Sequence, residues 1–334
     1  MKVIIPLAGF GTRMRPHTWS RPKPLLHVAG HTVIGHLLDR LAPITTEEVV
    51  FVVGYKGAEI EAWIRHHYSH LDSHFVIQEE ALGQAHALWL CRDFLDDGEA
   101  LVAFGDGIVD ADYAAISDTT ADGVCLVQEM EDPRKFGVVV TDETNRITDF
   151  IEKPKTAEHK QVIAGIYWFR NGRILRHALD TVIREERMTK GEYYLADAYQ
   201  VLLQQGTPLV AKPCYYWLDA GNPENILNTN ARLLSMGFHS DDLVERSYVE
   251  DFTAMPPASL HESAQVDAAV IGPYASIGAN VTIKNAIVRN SIIDEGAIIE
   301  NCILDGALIG RRAQVQGQGL SLFVGDDSIV GRKT

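Results

Sequence analysis

A six-residue period near the C-terminal end restricts the fold of this 334-residue chain more than any other feature. Ile271, Ile277 and Ile283 each open a stretch of small residues, as in Ile271-Gly272-Pro273-Tyr274-Ala275-Ser276, and Val288, Ile293 and Ile299 continue the series at spacings of five and six. A helix repeats every 3.6 residues, and a run of ordinary strands joined by turns does not keep a six-residue phase from one strand to the next. A parallel β-helix of triangular section does, because each side buries one aliphatic residue and small residues allow the corners. Residues 263–334, about 70 in all, suffice for about four coils at roughly 18 residues per turn, enough to bury a core.

Upstream the rhythm differs. Short Val- and Ile-rich runs at Val3 to Pro6, Val49 to Val53, Phe75 to Gln78, Leu101 to Phe104 and Val124 to Val127 are separated by helical spacing. Ile34, Leu37, Leu38 and Leu41 stand at i, i+3, i+4 and i+7, and Ala85 to Phe94 offers another helix. Two strands around Asp142-Glu143-Thr144-Asn145 read as an inserted hairpin, and helical patterns return at Arg173 to Arg187, Leu195 to Gln204 and Pro223 to Leu234. Strand alternating with helix predicts an α/β fold, a Rossmann-like mixed, mostly parallel sheet with its ligands outside the carboxyl ends of the strands. The expected organisation is an α/β domain over 1–236, a linker over 237–262 and the β-helix over 263–334. A hydrophobic content of 46% supplies the apolar surface for both domains.

A net charge of −15 excludes a surface that holds nucleic acid or anionic lipid through a broad basic patch, but leaves room for a local cation cluster around one small ligand. Cys91, Cys125, Cys214 and Cys302 lie far apart, with no Cys-x-x-Cys pair, and read as buried packers rather than a zinc site or disulfide framework. The first residues enter a strand-like run without a signal-peptide core, and no stretch approaches a membrane span, so the cytoplasm is the expected compartment.

Chemistry concentrates in Leu7-Ala8-Gly9-Phe10-Gly11-Thr12-Arg13, directly after the first strand. Gly9 and Gly11 let the backbone approach a phosphate and aim successive N–H groups at it, and Arg13 adds a charged fork. A dinucleotide-binding fingerprint needs a third glycine, where Met14 stands, and an acidic residue ending the second strand, which Val53 does not supply. Farther on, Pro22-Lys23-Pro24 fixes a lysine on a stiff segment.

Together, Gly-x-Gly-Thr-Arg followed by Pro-Lys-Pro resembles the N-terminal motif of the sugar-1-phosphate nucleotidylyltransferases. The resemblance continues in register. Gln78 with Leu82-Gly83-Gln84-Ala85-His86 is similar to the segment that reads the pyrimidine base through Gln78 and the Gly83 backbone, and Phe104-Gly105-Asp106-Gly107 is similar to the metal-binding strand end. Phe136-Gly137-Val138-Val139, Ile151-Glu152-Lys153-Pro154 and Ala164-Gly165-Ile166-Tyr167 match sugar-phosphate segments. Lys190-Gly191-Glu192, with Lys190 where relatives often place Arg, and Trp217-Leu218-Asp219-Ala220-Gly221 match the last two segments of the family. Singly, Asp106 reads as a helix cap and Asp219 as a turn residue, yet eight segments in the family's order are not what chance turns produce.

The resemblance implies a nucleoside triphosphate and a sugar 1-phosphate as substrates and Mg²⁺ as cofactor, held by Asp106 and Asp219. It implies nucleotide contacts from Leu7, Ala8, Gly9, Gly11, Thr12, Arg13, Lys23, Gln78 and Gly83. Sugar-phosphate contacts would come from Gly137, Glu152, Lys153, Gly165 and Lys190. The layout looks most like long-form glucose-1-phosphate thymidylyltransferases, which use dTTP or UTP and carry a C-terminal left-handed β-helix; mannose-1-phosphate guanylyltransferases and an inactive regulatory homologue remain open alternatives. A second, acyltransferase site in the coil is disfavoured, since the repeat is short and holds no histidine after His261. The coil is expected to serve contacts between subunits of a homo-oligomer. His66, His67, His70 and His74 read as the end of a surface helix and its loop rather than a metal site.

Overall fold

Val3, Ile4 and Ile5 are buried on both sides of the strand they form, β1 (Lys2–Pro6). A strand with no polar alternation is what a sheet covered on two faces requires. This computed structural model describes residues 1–44, 46–188 and 191–317. It divides into two units, Met1–Thr229 and a second from Asn230 onward.

In the first unit, α1 (His17–Ser20) and the two-residue strands β2 (His27–Val28) and β3 (His31–Thr32) precede α2 (Val33–Leu41). Then follow β4 (Glu48–Val53), α3 (Gly57–His67), β5 (Ser73–Ile77), α4 (Gln84–Leu90), β6 (Ala100–Ala103) and β7 (Gly107–Asp110). β8 (Gly123–Glu129), β9 (Gly137–Thr141), β10 (Ile147–Glu152) and β11 (Gln161–Phe169) lead to α5 (Gly172–Arg184) and α6 (Leu195–Gln204). β12 (Leu209–Pro213) and β13 (Tyr216–Asp219) complete the series, and α7 (Pro223–Ser235) begins in this unit and ends in the second. The described strands make a mixed sheet in the order β10-β9-β11-β6-β1-β4-β5, with β8 between β11 and β12. β6, β1, β4 and β5 run parallel, while β11 is antiparallel to β6, β8 and β9.

The period of two distributes the core. Ile4, Val50, Val52 and Val102 face Leu88 of α4, Leu175 and Leu179 of α5 and Leu202 of α6. Val3, Ile5, Val49, Phe51 and Val53 face Leu37 and Leu38 of α2 and Ile60 and Ile64 of α3. The four aliphatic residues that predict the α2 face are all buried, and the Thr32 hydroxyl caps the helix by accepting from the Gly35 N–H at 3.0 Å. The hairpin is β9–β10, turned by the Asp142 carboxylate, which accepts from the N–H groups of Thr144 and Arg146. Of the four cysteines, Cys91 and Cys125 are buried and Cys214 and Cys302 half-buried, all unpaired.

In the second unit, α8 (Leu243–Val249) precedes a coil of short parallel strands arranged in three sheets, the left-handed β-helix that the repeat predicts. Ile271, Ile277 and Ile283 stand on three successive faces, which is why their spacing is six. Along each face aliphatic residues stack in register: Val266, Ile283, Ile299 and Val315; Leu260, Ile277, Ile293 and Ile309; Ile271, Val288 and Leu304. Asn280, Asn285, Asn290 and Asn301 turn corners with positive φ, a conformation that asparagine tolerates better than most residues. Coiling is already under way at Phe252–Ala254, which pairs with Ala269–Ile271, ahead of position 263. The six-residue phase runs back through Val266 and Leu260 to Ala254, where the small alanine gives it little apolar signal.

Candidate active site

Three parallel strands deliver a wall of one cleft at their carboxyl ends: β1 runs into Leu7, β5 into Gln78 and β6 into Asp106. Leu7 is still tied to the sheet, its N–H donating to the Val52 carbonyl at 2.7 Å, and the loop then leaves it. Gly11 adopts φ +61, and its carbonyl accepts from the Met14 N–H at 2.9 Å and the Thr18 hydroxyl at 2.8 Å. A Cβ at Gly11 would lie 3.0 Å from Thr18 Cγ2, whereas one at Gly9 would meet nothing within 4 Å and would intrude only on the cleft. The loop is thus fixed behind and bare in front, as close approach to a phosphate demands.

Lys23 sits on the tight turn Lys23–Leu25, its side chain 10% exposed, and reaches the Asp106 carboxylate at 3.2 Å. Asp106 itself is 58% exposed to the cleft. The Lys23 charge, with Arg13 adding to it, holds the Asp106 carboxyl below the usual carboxylate range against the opposing cost of desolvation.

Asp219 arrives from the far end of the unit because β13 pairs antiparallel with β7, which opposes Asp219 to Gly107 and lets the Ala220 N–H donate to the Asp106 carbonyl at 3.2 Å. The Asp219 carboxylate accepts from the Gly221 N–H at 2.8 Å and from the Asn225 amide, and its carbonyl accepts from the Thr229 hydroxyl. A Cβ at Gly221 would stand 2.8 Å from Asp219 Oδ1 and 3.4 Å from Arg13 Nη2, so the guanidinium and this carboxylate share one corner. Two carboxylates on neighbouring strand ends offer hard oxygen donors of the kind Mg²⁺ takes with retained waters and substrate phosphates.

The cleft, about 490 Å³, falls within the roughly 300–1,000 Å³ of small-molecule sites. Leu7, Ala8, Gly9, Gly11, Thr12, Arg13, Lys23, Gln78, Gly83 and Asp106 line it. Gly137, Glu152, Lys153, Gly165 and Asp219 are not among the described residues that do, although Gly221, beside Asp219, is. The first three gather at the β9–β10 hairpin, where a Cβ at Gly137 would lie 3.1 Å from a Glu152 oxygen and Lys153 Nζ is 3.5 Å from the other. Lys153 is held at φ +48, off the ordinary regions for a side-chain-bearing residue, with its N–H donating to the Phe136 carbonyl at 3.1 Å. The hairpin joins the cleft wall through β11, whose Gly165 carbonyl accepts from the N–H of Phe104. Lys190 lies outside the described residues.

Other participants escape sequence reasoning. Asn225 holds Asp219 although its own position, three past the Asn222 cap, reads as ordinary helix start, and Glu192, Gln84 and Gly221, which fall in matched segments but are given no role by the sequence, line the cleft. Among the described residues, His74 lies with Glu48 and Asp72, donor atoms within 4.8 Å of one another, while the other three histidines of that segment take no part. That trio is at the amino ends of β4 and β5, opposite the cleft.

Residues 2–236 match the nucleotidyl transferase family model. The low-salt glycan biosynthesis nucleotidyltransferase Agl11 of Haloferax volcanii is 29% identical over 320 residues, covering 87% of each chain. A UTP–glucose-1-phosphate uridylyltransferase of the same organism is 31% identical, covering 70% of this chain and 96% of its own. A crystal structure from Bacillus anthracis assigned to the glucose-1-phosphate thymidylyltransferases superposes with a TM-score of 0.61 at 26% identity, over 70% of this chain and 94% of that one. The chain belongs to the nucleotidyl transferase family, among its sugar-1-phosphate nucleotidyltransferases.

Proposed function

We propose that the protein joins UTP or dTTP to glucose 1-phosphate, releasing pyrophosphate and a nucleotide sugar. The observation that carries the reading is that Arg13, Lys23 and Asp106 line one cleft beside a bare glycine loop, with Asp219 brought to its edge next to Arg13 by the β7–β13 ladder. Both substrates are anions, so bringing them together is the first barrier. Arg13 and Lys23 hold the triphosphate and stabilise charge on the departing pyrophosphate, while Lys153, with Glu152 on the sugar hydroxyls, sets the incoming phosphate in line with the α-phosphorus. One oxygen of the sugar phosphate forms the new bond to that phosphorus as the bond to the β-phosphate oxygen breaks. No general base is needed, because the attacking phosphate is already ionised at neutral pH. Positioning and preorganised charge carry the rate. Asp106 and Asp219 would hold Mg²⁺, which when bound would neutralise phosphate charge. The choice of pyrimidine nucleotide rests on Gln78 and Gly83, which line the same cleft. Turnover of the four ribonucleoside triphosphates and dTTP against glucose, mannose and N-acetylglucosamine 1-phosphates tests it. UTP and dTTP with glucose 1-phosphate should be fastest; a purine nucleotide or another sugar phosphate used faster by about tenfold would replace the assignment.

A further inference from the structure

Gln78 is 8% exposed, and its amide nitrogen is engaged twice: it donates to the Gly83 carbonyl at 3.1 Å and lies 3.0 Å from His86 Nδ1. A carbonyl only accepts, so the nitrogen must be the end that faces Gly83, and the carboxamide cannot be turned round. With both hydrogens of that nitrogen committed, Nδ1 of His86 has to carry a lone pair and the ring proton has to sit on Nε2. The remaining atom, Gln78 Oε1, receives no hydrogen bond from the described residues and belongs to a side chain lining the cleft. A lone oxygen there is an acceptor waiting for an N–H.

We propose that His86 is a positioning residue for base selection: by accepting the second amide hydrogen of Gln78, it locks the Gln78 oxygen toward the cleft. The site then takes nucleotides whose base presents a ring N–H and turns away those that present a lone pair at the same place. Uracil and thymine offer N3–H; cytosine offers a bare N3, which would oppose the oxygen. The inference rests on the nucleotide-binding reading of this cleft. It differs from that reading in placing part of the choice on a residue of α4.

Neutrality of the imidazole is built into the lock, since a proton on Nδ1 would face the amide hydrogens. Burial pushes the His86 pKa down, opposed by Glu80 of the preceding loop; the neighbouring rings of Trp89 and Tyr193, 6.1 and 6.5 Å away, bring no charge. The ring is therefore neutral at neutral pH and takes its proton only below the ordinary imidazole range. As that happens, the acceptor is lost and with it the fixed orientation of Gln78.

The test is equilibrium binding of UTP and CTP to the full chain as wild type, His86→Phe, His86→Leu and His86→Asn, between about pH 5 and 8, with unfolding temperatures as a check on folding. The phenylalanine variant keeps a ring beside Trp89 and the leucine variant stands in if it folds poorly. Wild type should favour UTP, and the preference should weaken toward acid. The Phe and Leu variants should lose about tenfold of the UTP preference, the scale of one neutral hydrogen bond, chiefly through weaker UTP binding. His86→Asn, which restores an acceptor that does not titrate, should recover the preference and make it flat with pH. Apolar variants that keep the wild-type UTP preference would overturn the role of His86 and leave the proposed function standing. A wild type that binds neither nucleotide would overturn both.

Discussion

Arg13 stands where the glycine loop meets the corner that Asp219 occupies, and its charge also reaches Asp106. A guanidinium so placed is stationed before phosphate arrives, which makes it worth more in the transition state than a flexible surface cation. Arg13→Ala should therefore lower kcat by on the order of a hundredfold, the scale for one preorganised charge-stabilising donor, in steady-state pyrophosphate-release kinetics. Unchanged kcat would remove the residue from the mechanism. Glycine spacing and flanking prolines make Arg13 and Lys23 visible in the sequence, because both residues owe their placement to local backbone. Asn225 is not visible: its value lies in one contact to a carboxylate delivered by another strand.

At the level of elements, the buried strands are legible as continuous Val- and Ile-rich runs and the β-helix by its six-residue period. Ile283 shows why. It is fully buried in the coil and stacked between Val266 and Ile299, so replacing it leaves a hole that neither neighbour can fill without breaking register. Ile283→Ala should destabilise the coil by about 2–5 kcal/mol, read as an earlier denaturant transition followed by a probe in the second unit. A change below about 0.5 kcal/mol, the level of a neutral surface substitution, would mean that the stack is not the core. The β7–β13 ladder has no such signature: four residues pair with four from the far end of the unit, and neither half is long enough to declare a period. Yet this ladder is what brings Asp219 to Asp106. The helix α8 was likewise hidden, being seven residues of mixed polarity.

For the whole molecule, an excess of negative charge coexists with a cation-bearing cleft at the carboxyl ends of β1, β5 and β6. Acidic surface keeps polyanions away in general, while Arg13 and Lys23 make one place hospitable to a small anion. The central claim is that this place transfers a nucleotidyl group through the paired aspartates. It is tested by measuring pyrophosphate release from UTP with Mg²⁺, with and without glucose 1-phosphate, for wild type and for the Asp106→Asn, Asp219→Asn double variant. The account predicts release by wild type only when the sugar phosphate is present, with the double variant slower by at least about a hundredfold and still folded. Release that ignores the sugar phosphate, or a double variant as fast as wild type, would contradict it.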